Sequence, residues 1–268
     1  MSPAGVLSAR HPAVALRHRV SVEQLSGQQT ADLKQAFSAL YGIDDDRGYQ
    51  HHAGIHGLPL PISCQHATPY FLPWHRAYLY FVELALRDQQ PAASLPWWDW
   101  SSPDAHARGI PQVYAQRGSP LASAPINAQA RRQGLRGGLR QGPRTTRNPG
   151  DPRSLPTAQQ VAGVLALGDF VDFSMQLEDI HNALHTWVGG TMGLIPFSAY
   201  DPLFWAHHTM IDRIWRLWQL AHPGASPPAA MLGQALAPFP MTVAQTLDVS
   251  SLGYDYAMTA TNISIGTI

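Results

Sequence analysis

Histidine is the residue that most constrains this chain. It holds thirteen histidines, most of them within residues 51–75 and 181–208, but only three glutamates. One neutral imidazole is easily buried, whereas several buried together without polar partners would be costly. A bound metal ion satisfies them together, so the sequence predicts a metal site rich in imidazole and poor in carboxylate.

Composition narrows the class of protein. The 268 residues are 45% hydrophobic and 13% charged, which indicates a single compact domain over residues 1–268. Eighteen basic residues balance eighteen acidic ones, so no overall field favours nucleic acid or a membrane surface. We find no signal pattern and no apolar run long enough for a bilayer, and we expect a soluble chain, cytoplasmic by default.

Hydrophobic periodicity predicts four helices, over residues 30–41, 73–88, 169–188 and from about His207 onwards. The fold class is therefore mainly α, with a four-helix core that holds the metal site, long loops and minor β structure. The β-prone residues lie near the end of the chain: Val243, Val249, Ile263 and Ile265.

Residues 101–160 differ in composition from the rest, being rich in Pro, Gly, Ala, Gln and Arg. We interpret this segment as a long surface insertion. Its arginines, among them Arg131, Arg140 and Arg147, meet few acidic residues. They are expected to form a solvated face, and an anionic partner is the alternative.

Spacing groups the histidines. His181 and His185 lie four residues apart, so both project from one helix face, and His208 lies on the next helix. His56 and His66 fall in loops, and His75 lies in the first turns of a buried helix. Zinc-protease and di-iron patterns need glutamates that are missing here. Among metals that imidazole binds, a copper pair sharing dioxygen fits best.

Six motifs follow one another along the chain: Gly54-Ile55-His56-Gly57-Leu58-Pro59, Cys64-Gln65-His66, Phe71-Leu72-Pro73-Trp74-His75-Arg76, Trp97-Trp98-Asp99-Trp100, His181-Asn182-Ala183-Leu184-His185 and Asp201-Pro202-Leu203-Phe204-Trp205-Ala206-His207-His208. Their sequences and order resemble those of the type 3 copper proteins, the family of tyrosinases, catechol oxidases and molluscan haemocyanin units. The resemblance covers residues 15–260 except 101–160.

The resemblance implies two copper ions. His56, His66 and His75 would bind the first, and His181, His185 and His208 the second. His52 competes with His56 for the first place, because only ten residues separate His56 from His66; His51 is a weaker competitor. The resemblance also implies that Cys64 is joined to His66 through a thioether, with a buried free thiol as the alternative.

Other residues take roles from the same resemblance. Glu178 and Asn182 would hold a water that deprotonates a phenol, unless Glu178 is only a charge on the helix face. Ile195 would be a gate over the second copper, or else part of the core.

Further residues are expected to support the site without binding copper. His207, Phe204 and Asp212 would lie behind the ligands, and Asp99 and Asp201 would serve as scaffold. Tyr254-Asp255-Tyr256 resembles the tyrosine motif that closes the family's catalytic domain, packed here against Arg17. We also expect no C-terminal shielding domain.

The predicted function is that of a tyrosinase, which uses O2 to hydroxylate monophenols at the ortho position and oxidises o-diphenols to o-quinones. The expected partners are O2, a small phenol and a copper-delivering helper protein. A catechol or o-aminophenol oxidase without monophenol hydroxylation is the alternative, followed by a haemocyanin-like oxygen carrier.

Overall fold

Ten α-helices, four short 3-10 helices and a two-stranded sheet form the part of the chain that the computed structural model describes, residues 16–257. The strands are β1 (Arg17–Arg19) and β2 (Tyr254–Tyr256). The helices are α1 (Gly27–Tyr41), α2 (Tyr49–Gly54), α3 (Phe71–Gln89), α4 (Pro103–Arg108), α5 (Gln112–Ala115), α6 (Ala128–Arg136), α7 (Ala158–Leu165), α8 (Phe170–Val188), α9 (Pro202–Ala221) and α10 (Ala229–Leu232). The predicted mainly α fold is confirmed.

Four of these helices, α1, α3, α8 and α9, correspond to the four predicted from periodicity. Local signals fix their ends. Ser26 and Gln29 form a reciprocal capping box at the start of α1, and the side chain of Asp169 caps α8. Gly189, with a φ of 61°, follows the last residue of α8.

The start predicted for α9, near His207, was wrong. The helix begins five residues earlier, at Pro202. Asp201 accepts a hydrogen bond from the backbone N–H of Leu203 at 2.9 Å, and proline suits the first helical turn because it has no N–H to satisfy. His207 and His208 therefore lie within the helix, where its geometry fixes their directions.

Helices α3 and α9 form the centre of the core and pack against each other. They are buried on nearly every face, which explains their almost continuous apolar sequence. Helix α1 covers another side of α3, and α7 packs against both α8 and α9. The histidine-bearing faces of α3, α8 and α9 consequently meet inside the protein.

Residues 101–160 are not confined to the surface as expected. Tyr114, Leu121 and Ile126 are buried in the same core as the long helices. Arg147, which we expected on a solvated face, forms a buried salt bridge to Asp201 with Nη2 and Oδ1 2.6 Å apart. This contact ties the segment to the residue that caps α9.

The sheet pairs the two ends of the described chain. Strands β1 and β2 run parallel, with Arg17 opposite Tyr254 and Arg19 opposite Tyr256. Val243 and Val249 lie outside both strands, contrary to their β propensity, while Ile263 and Ile265 lie outside the described residues.

The arginine that packs on the tyrosine motif is Arg19, and the expectation of Arg17 was wrong. The Arg19 guanidinium lies 3.6 Å from the centre of the Tyr254 ring and donates a hydrogen bond to the Tyr256 hydroxyl. Arg17 instead donates to the backbone carbonyl of Pro91. Both arginines project from the same face of β1, because they lie two residues apart, but Arg17 is part-exposed at the start of the strand while Arg19 is fully buried.

A buried charge network joins this sheet to the central helices. Asp212 of α9 forms salt bridges with Arg76 of α3 and Arg19 of β1, and Arg19 also pairs with Glu83 at 2.8 Å. Tyr254 donates a further hydrogen bond to Asp212 at 2.7 Å. Burial alone would raise the pKa of Asp212, but the two arginines outweigh it and hold the pKa below its usual value.

Within residues 16–257, no helix is both long and apolar enough to cross a bilayer.

We predict that Asp212→Asn lowers the free energy of unfolding by roughly 3–5 kcal/mol, because it leaves two buried arginines short of a counter-charge. Denaturant unfolding followed by circular dichroism measures the loss. Asp255→Asn is the matched control. Its partner Arg216 is part-exposed, so that loss should be about 1 kcal/mol or less. Equal losses in both variants would contradict the central role of the network.

Candidate metal centre

Six histidines from four parts of the chain converge in the core. His75 comes from α3, His181 and His185 from α8, and His208 from α9, while His56 and His66 lie in the segment between α2 and α3. The Nε2 atoms of His56 and His75 are 3.5 Å apart. His208 Nε2 lies 3.1 Å from His181 Nε2 and 3.3 Å from His185 Nε2.

The two groups of three are neighbours. The rings of His75 and His208 are stacked with centroids 4.6 Å apart, and the rings of His66 and His181 are 5.4 Å apart. All six residues predicted as ligands are therefore brought together.

Backbone carbonyls orient three of the rings. The Nδ1–H groups of His56, His75 and His185 donate to the carbonyls of Ile195, Phe71 and Met192, at 3.0, 2.8 and 2.9 Å. A carbonyl oxygen only accepts, so the hydrogen of each neutral ring is on Nδ1. Each Nε2 is consequently a bare lone pair that points into the site.

Burial keeps these imidazoles neutral. It lowers the pKa of His185 to about 4, and it lowers the pKa values of His56, His75, His181 and His208 well below their usual value, with neighbouring imidazoles adding to the effect. The repulsion between the facing Nε2 lone pairs is therefore not removed by protonation of a ring.

This arrangement fits metal ions. The facing Nε2 atoms of His56 and His75 have no hydrogen between them, and one hydrogen on His208 cannot serve both His181 and His185. His66 Nε2 is buried without a hydrogen-bond partner among the described residues. A cation in each trio would turn these lone-pair contacts into coordination, for which neutral imidazole is a good ligand.

The structure places His56, rather than His52, in the cluster. The ring of His56 lies 5.5 Å from that of His66 and 5.6 Å from that of His75. His52 is held away on α2, where its backbone carbonyl accepts a hydrogen bond from the hydroxyl of Tyr78. His51 of the same helix is exposed, and it lines a different concavity.

His207 also lies against the second trio. Its ring is stacked on that of His181, with centroids 5.1 Å apart, and neither of its nitrogens has a hydrogen-bond partner among the described residues. A nitrogen of His207 lies within 4.8 Å of nitrogens of His181, His185 and His208. Phe204, one turn earlier on α9, stacks on His208 at 4.0 Å and contacts His56.

The carboxylate of Glu178 lies beside the first trio. Its Oε1 accepts a hydrogen bond from the backbone N–H of Ala67 at 2.7 Å and lies 3.4 Å from His66 Nδ1. Its Oε2 is buried without a partner among the described residues. Glu178 is itself buried, so the interpretation of it as a charge on an exposed helix face was wrong.

Cys64 is buried close to His66. Its sulfur lies within 4.8 Å of a nitrogen of His56 and of His66. Burial raises the pKa of the Cys64 thiol to about 12, so this group is protonated at neutral pH.

A cavity of about 350 Å³ opens onto the histidines. Its exposed edge includes Asn182, Thr186 and Ile195, and Ile195 is 47% exposed. It is lined by His56, His66, Ala67, Glu178, His181, Asn182, His185, Thr186, Met192, Gly193, Ile195 and Ser198. Concavities of about 430 and 620 Å³ occur elsewhere, but none of the six histidines lines them.

Sequence reasoning missed two supports of this site. Met192 binds His185 because Gly189 and Gly190, both with positive φ, turn the chain back after α8. A Cβ at Gly190 would lie 2.2 Å from the carbonyl oxygen of Thr146, so this glycine is required for close approach. The glycine pair indicates such a turn in the sequence. The second support is Ala67, whose N–H binds Glu178; its left-handed backbone, with a φ of 53°, is not indicated by the sequence, because alanine rarely adopts it.

Comparisons with known proteins agree with this geometry. A family model described as the common central domain of tyrosinase matches residues 46–221, more than half of the chain. A tyrosinase of Streptomyces glaucescens is 34% identical over 77% of this chain and 85% of its own length.

Haemocyanins are similar as well. Units G and H of a Sepia officinalis haemocyanin are 32% identical over 75% of this chain, which spans 37% of that relative's length. A functional unit of octopus haemocyanin has a similar structure, with a TM-score of 0.78 and 29% identity, over 90% of this chain and 68% of that one. The chain therefore belongs to the tyrosinase family of type 3 copper proteins, whose members bind two copper ions.

Proposed function

We propose that this chain is a dicopper phenol oxidase that hydroxylates monophenols at the ortho position with O2 and oxidises o-diphenols to o-quinones. The observation that carries the proposal is Glu178 Oε2, a buried carboxylate oxygen that has no hydrogen-bond partner within residues 16–257 and lies beside the histidines in a cavity that opens to solvent. Dioxygen binding alone does not need a base at this position.

His56, His66 and His75 would hold one copper ion, and His181, His185 and His208 the other. When bound, the copper pair supplies the binding and activation of dioxygen. The histidine rings are oriented before metal binding by the carbonyls of Ile195, Phe71 and Met192, which favours tight coordination. His207 and Phe204 pack behind these ligands, and Asp212 supports them through Arg76, the neighbour of His75.

Glu178 would act as the base for the phenolic proton. The backbone N–H of Ala67 holds Oε1, so Oε2 is the oxygen free to accept a proton or to orient a water. Asn182, one turn further on α8, lines the same cavity and contacts His181. It would help Glu178 to position the water and the phenol.

Ile195 would act as the gate at the cavity mouth. Its side chain is exposed, while its carbonyl is fixed by His56 and by the hydroxyl of Ser198 at 3.0 Å. An aliphatic side chain there provides an apolar wall for a flat aromatic ring and leaves the entrance open.

Two other functions compete with this one. A catechol or o-aminophenol oxidase would use the same centre without hydroxylating monophenols. An oxygen carrier is favoured by the haemocyanins among the relatives, which span much longer chains. Among the described residues Glu178 Oε2 has no partner, and an oxygen carrier would leave it without a role. A catechol oxidase would depend on it less than a tyrosinase, because a diphenol loses its first proton more easily. A copper-delivering helper protein and a cytoplasmic location stay predictions.

Metal content tests the ligand assignment. We expect close to two copper ions per chain in the active protein, about one in His56→Ala, and two in the matched control His52→Ala, because only His56 reaches the cluster. Elemental analysis of purified protein measures this directly. Stoichiometric zinc or iron in active protein, or copper loss in His52→Ala alone, would contradict the assignment.

We further propose that Cys64 and His66 become joined by a thioether, given their proximity. The cysteine sulfur would replace a hydrogen of the imidazole ring in a two-electron oxidation, and O2 would accept the two hydrogens that are lost. The intact mass of the copper-matured protein should then be lower than that of the unmodified chain by two hydrogen atoms, while Cys64→Ser should have its unmodified mass. A free thiol that titrates after denaturation of matured protein would rule the bond out.

Replacing the base should separate the two activities. Glu178→Gln keeps the size of the side chain but removes its proton acceptor, so monophenol turnover should fall by about 10²–10⁴-fold, the usual worth of general-base help. Diphenol turnover should fall much less, because a diphenol loses its first proton more easily. Oxygen uptake and quinone absorbance measure both rates at equal copper content.

Asp172→Asn is the control for this comparison, since Asp172 is an exposed acid on the same helix outside the cavity. Both activities should be unchanged in that variant. Equal losses of both activities in Glu178→Gln with full copper would mean that Glu178 supports the site generally, and its assignment as the phenol base would be wrong.

A further inference from the structure

The charges around the cavity bear on the kind of phenol that it accepts. Glu178 is the only carboxylate that lines the cavity, and no lysine or arginine lines it among the described residues. A phenol that reaches the histidines with its hydroxyl must direct the substituent on the opposite side of its ring towards solvent. That substituent meets the edge of the cavity, so the edge selects among phenols.

The side chains at this edge are uncharged. Asn182 and Thr186 offer an amide and a hydroxyl from the exposed face of α8, and Ile195 offers an aliphatic surface. Gly193 is exposed and lines the same cavity. A carboxylate substituent would therefore find hydrogen-bond partners but no counter-ion.

The nearest exposed charge along α8 is acidic. Asp179 precedes Asn182 by three residues and Thr186 by seven, which places all three on one helix face. With about 1.5 Å of rise per residue, Asp179 lies roughly 5 Å along the axis from Asn182, within one Debye length at physiological salt. Asp179 forms no salt bridge within residues 16–257, so its charge is not neutralised locally.

The arginines of the neighbouring segment do not line the cavity. The charge of Arg147 is matched by its salt bridge to Asp201. Arg144, which donates to the backbone and hydroxyl of Ser123, and Arg140, which is exposed, keep their charges but lie outside the cavity lining. Asp179 is therefore the exposed charge on α8 nearest to Asn182 and Thr186.

We propose that this site selects phenols whose ring carries a cationic amine substituent opposite the hydroxyl, and that it disfavours phenols with a carboxylate there. This inference rests on the proposed function for the nature of the reaction, but the selection itself is a property of the cavity edge. The amine would lie near Asn182 and Thr186 with Asp179 as its long-range counter-charge.

Three catechols that differ only in the substituent at ring position 4 test the proposal: aminoethyl, methyl and carboxyethyl. At low ionic strength, kcat/KM should fall in that order by about fivefold per step, the upper range for a solvent-exposed ion pair. The differences should lie mainly in KM, because an interaction with a substituent far from the reacting atoms stabilises the bound substrate and the transition state equally. Added salt should reduce them.

Variants locate the selecting charge. Asp179→Asn should reduce the preference for the amine, and Thr186→Lys should reverse it in favour of the carboxylate. Asp172→Asn is the matched control, since Asp172 lies roughly 15 Å along the axis from Asn182 and is screened, so the preference should be unchanged. If the unaltered protein prefers the carboxylate and Arg140→Ala loses this preference, then the charge that determines the selection is that of Arg140, and the proposal is overturned.

A binding measurement separates this inference from the proposed function. Copper-loaded protein without oxygen cannot turn substrates over, so calorimetry with the corresponding 4-substituted monophenols reports affinity alone. If the methyl catechol is not oxidised in air, the proposed function fails, while tighter anaerobic binding of the amine would still support the selection. Equal affinities for amine and carboxylate would overturn the selection even in an active oxidase.

Discussion

The meeting of unprotonated imidazole nitrogens is the constraint on which the rest of this structure depends. His56 and His75 face each other through Nε2 atoms that carry no hydrogen, because their Nδ1 atoms donate to the carbonyls of Ile195 and Phe71. Such a contact is unfavourable without a cation and favourable with one. The surrounding chain must therefore hold the rings in place against their own repulsion. His75 is held by Phe71 in the first turn of its own helix, α3, and His56 is held by Ile195 in the segment after α8.

That rigidity comes from the charge network behind the ligands. Arg76 follows His75 on α3, and Asp212 lies one turn after His208 on α9, so their buried salt bridge joins the two ligand helices directly. Arg19 extends the network to β1, where the two-stranded sheet closes over it with Tyr254 and Tyr256. The network fixes the spacing of the helices, and the spacing of the helices fixes the distance between the two histidine trios.

The sequence was sufficient where a property is local. Helical periodicity found the four long helices, and the four-residue spacing of His181 and His185 placed both rings on one face of α8. It failed where a partner is distant along the chain. The choice between His52 and His56 depends on Ile195, and Arg147 is buried because Asp201 needs a counter-charge. Arg19, rather than Arg17, is buried because it pairs with Glu83 and Asp212. The early start of α9 was readable from Asp201-Pro202, a capping signal that precedes the apolar stripe by which the helix was predicted.

Neighbouring carboxylates on α8 illustrate how one helix can serve two purposes. Successive residues of a helix point about 100° apart, so Glu178 turns into the cavity while Asp179 faces solvent. The buried carboxylate is held by the Ala67 N–H and keeps one oxygen free, which suits proton transfer over a short distance. The exposed carboxylate makes no such contact and acts only through its field, which suits recognition of a charge at the cavity edge. Helix geometry alone separates the group that would take part in the chemistry from the group that would choose its substrate.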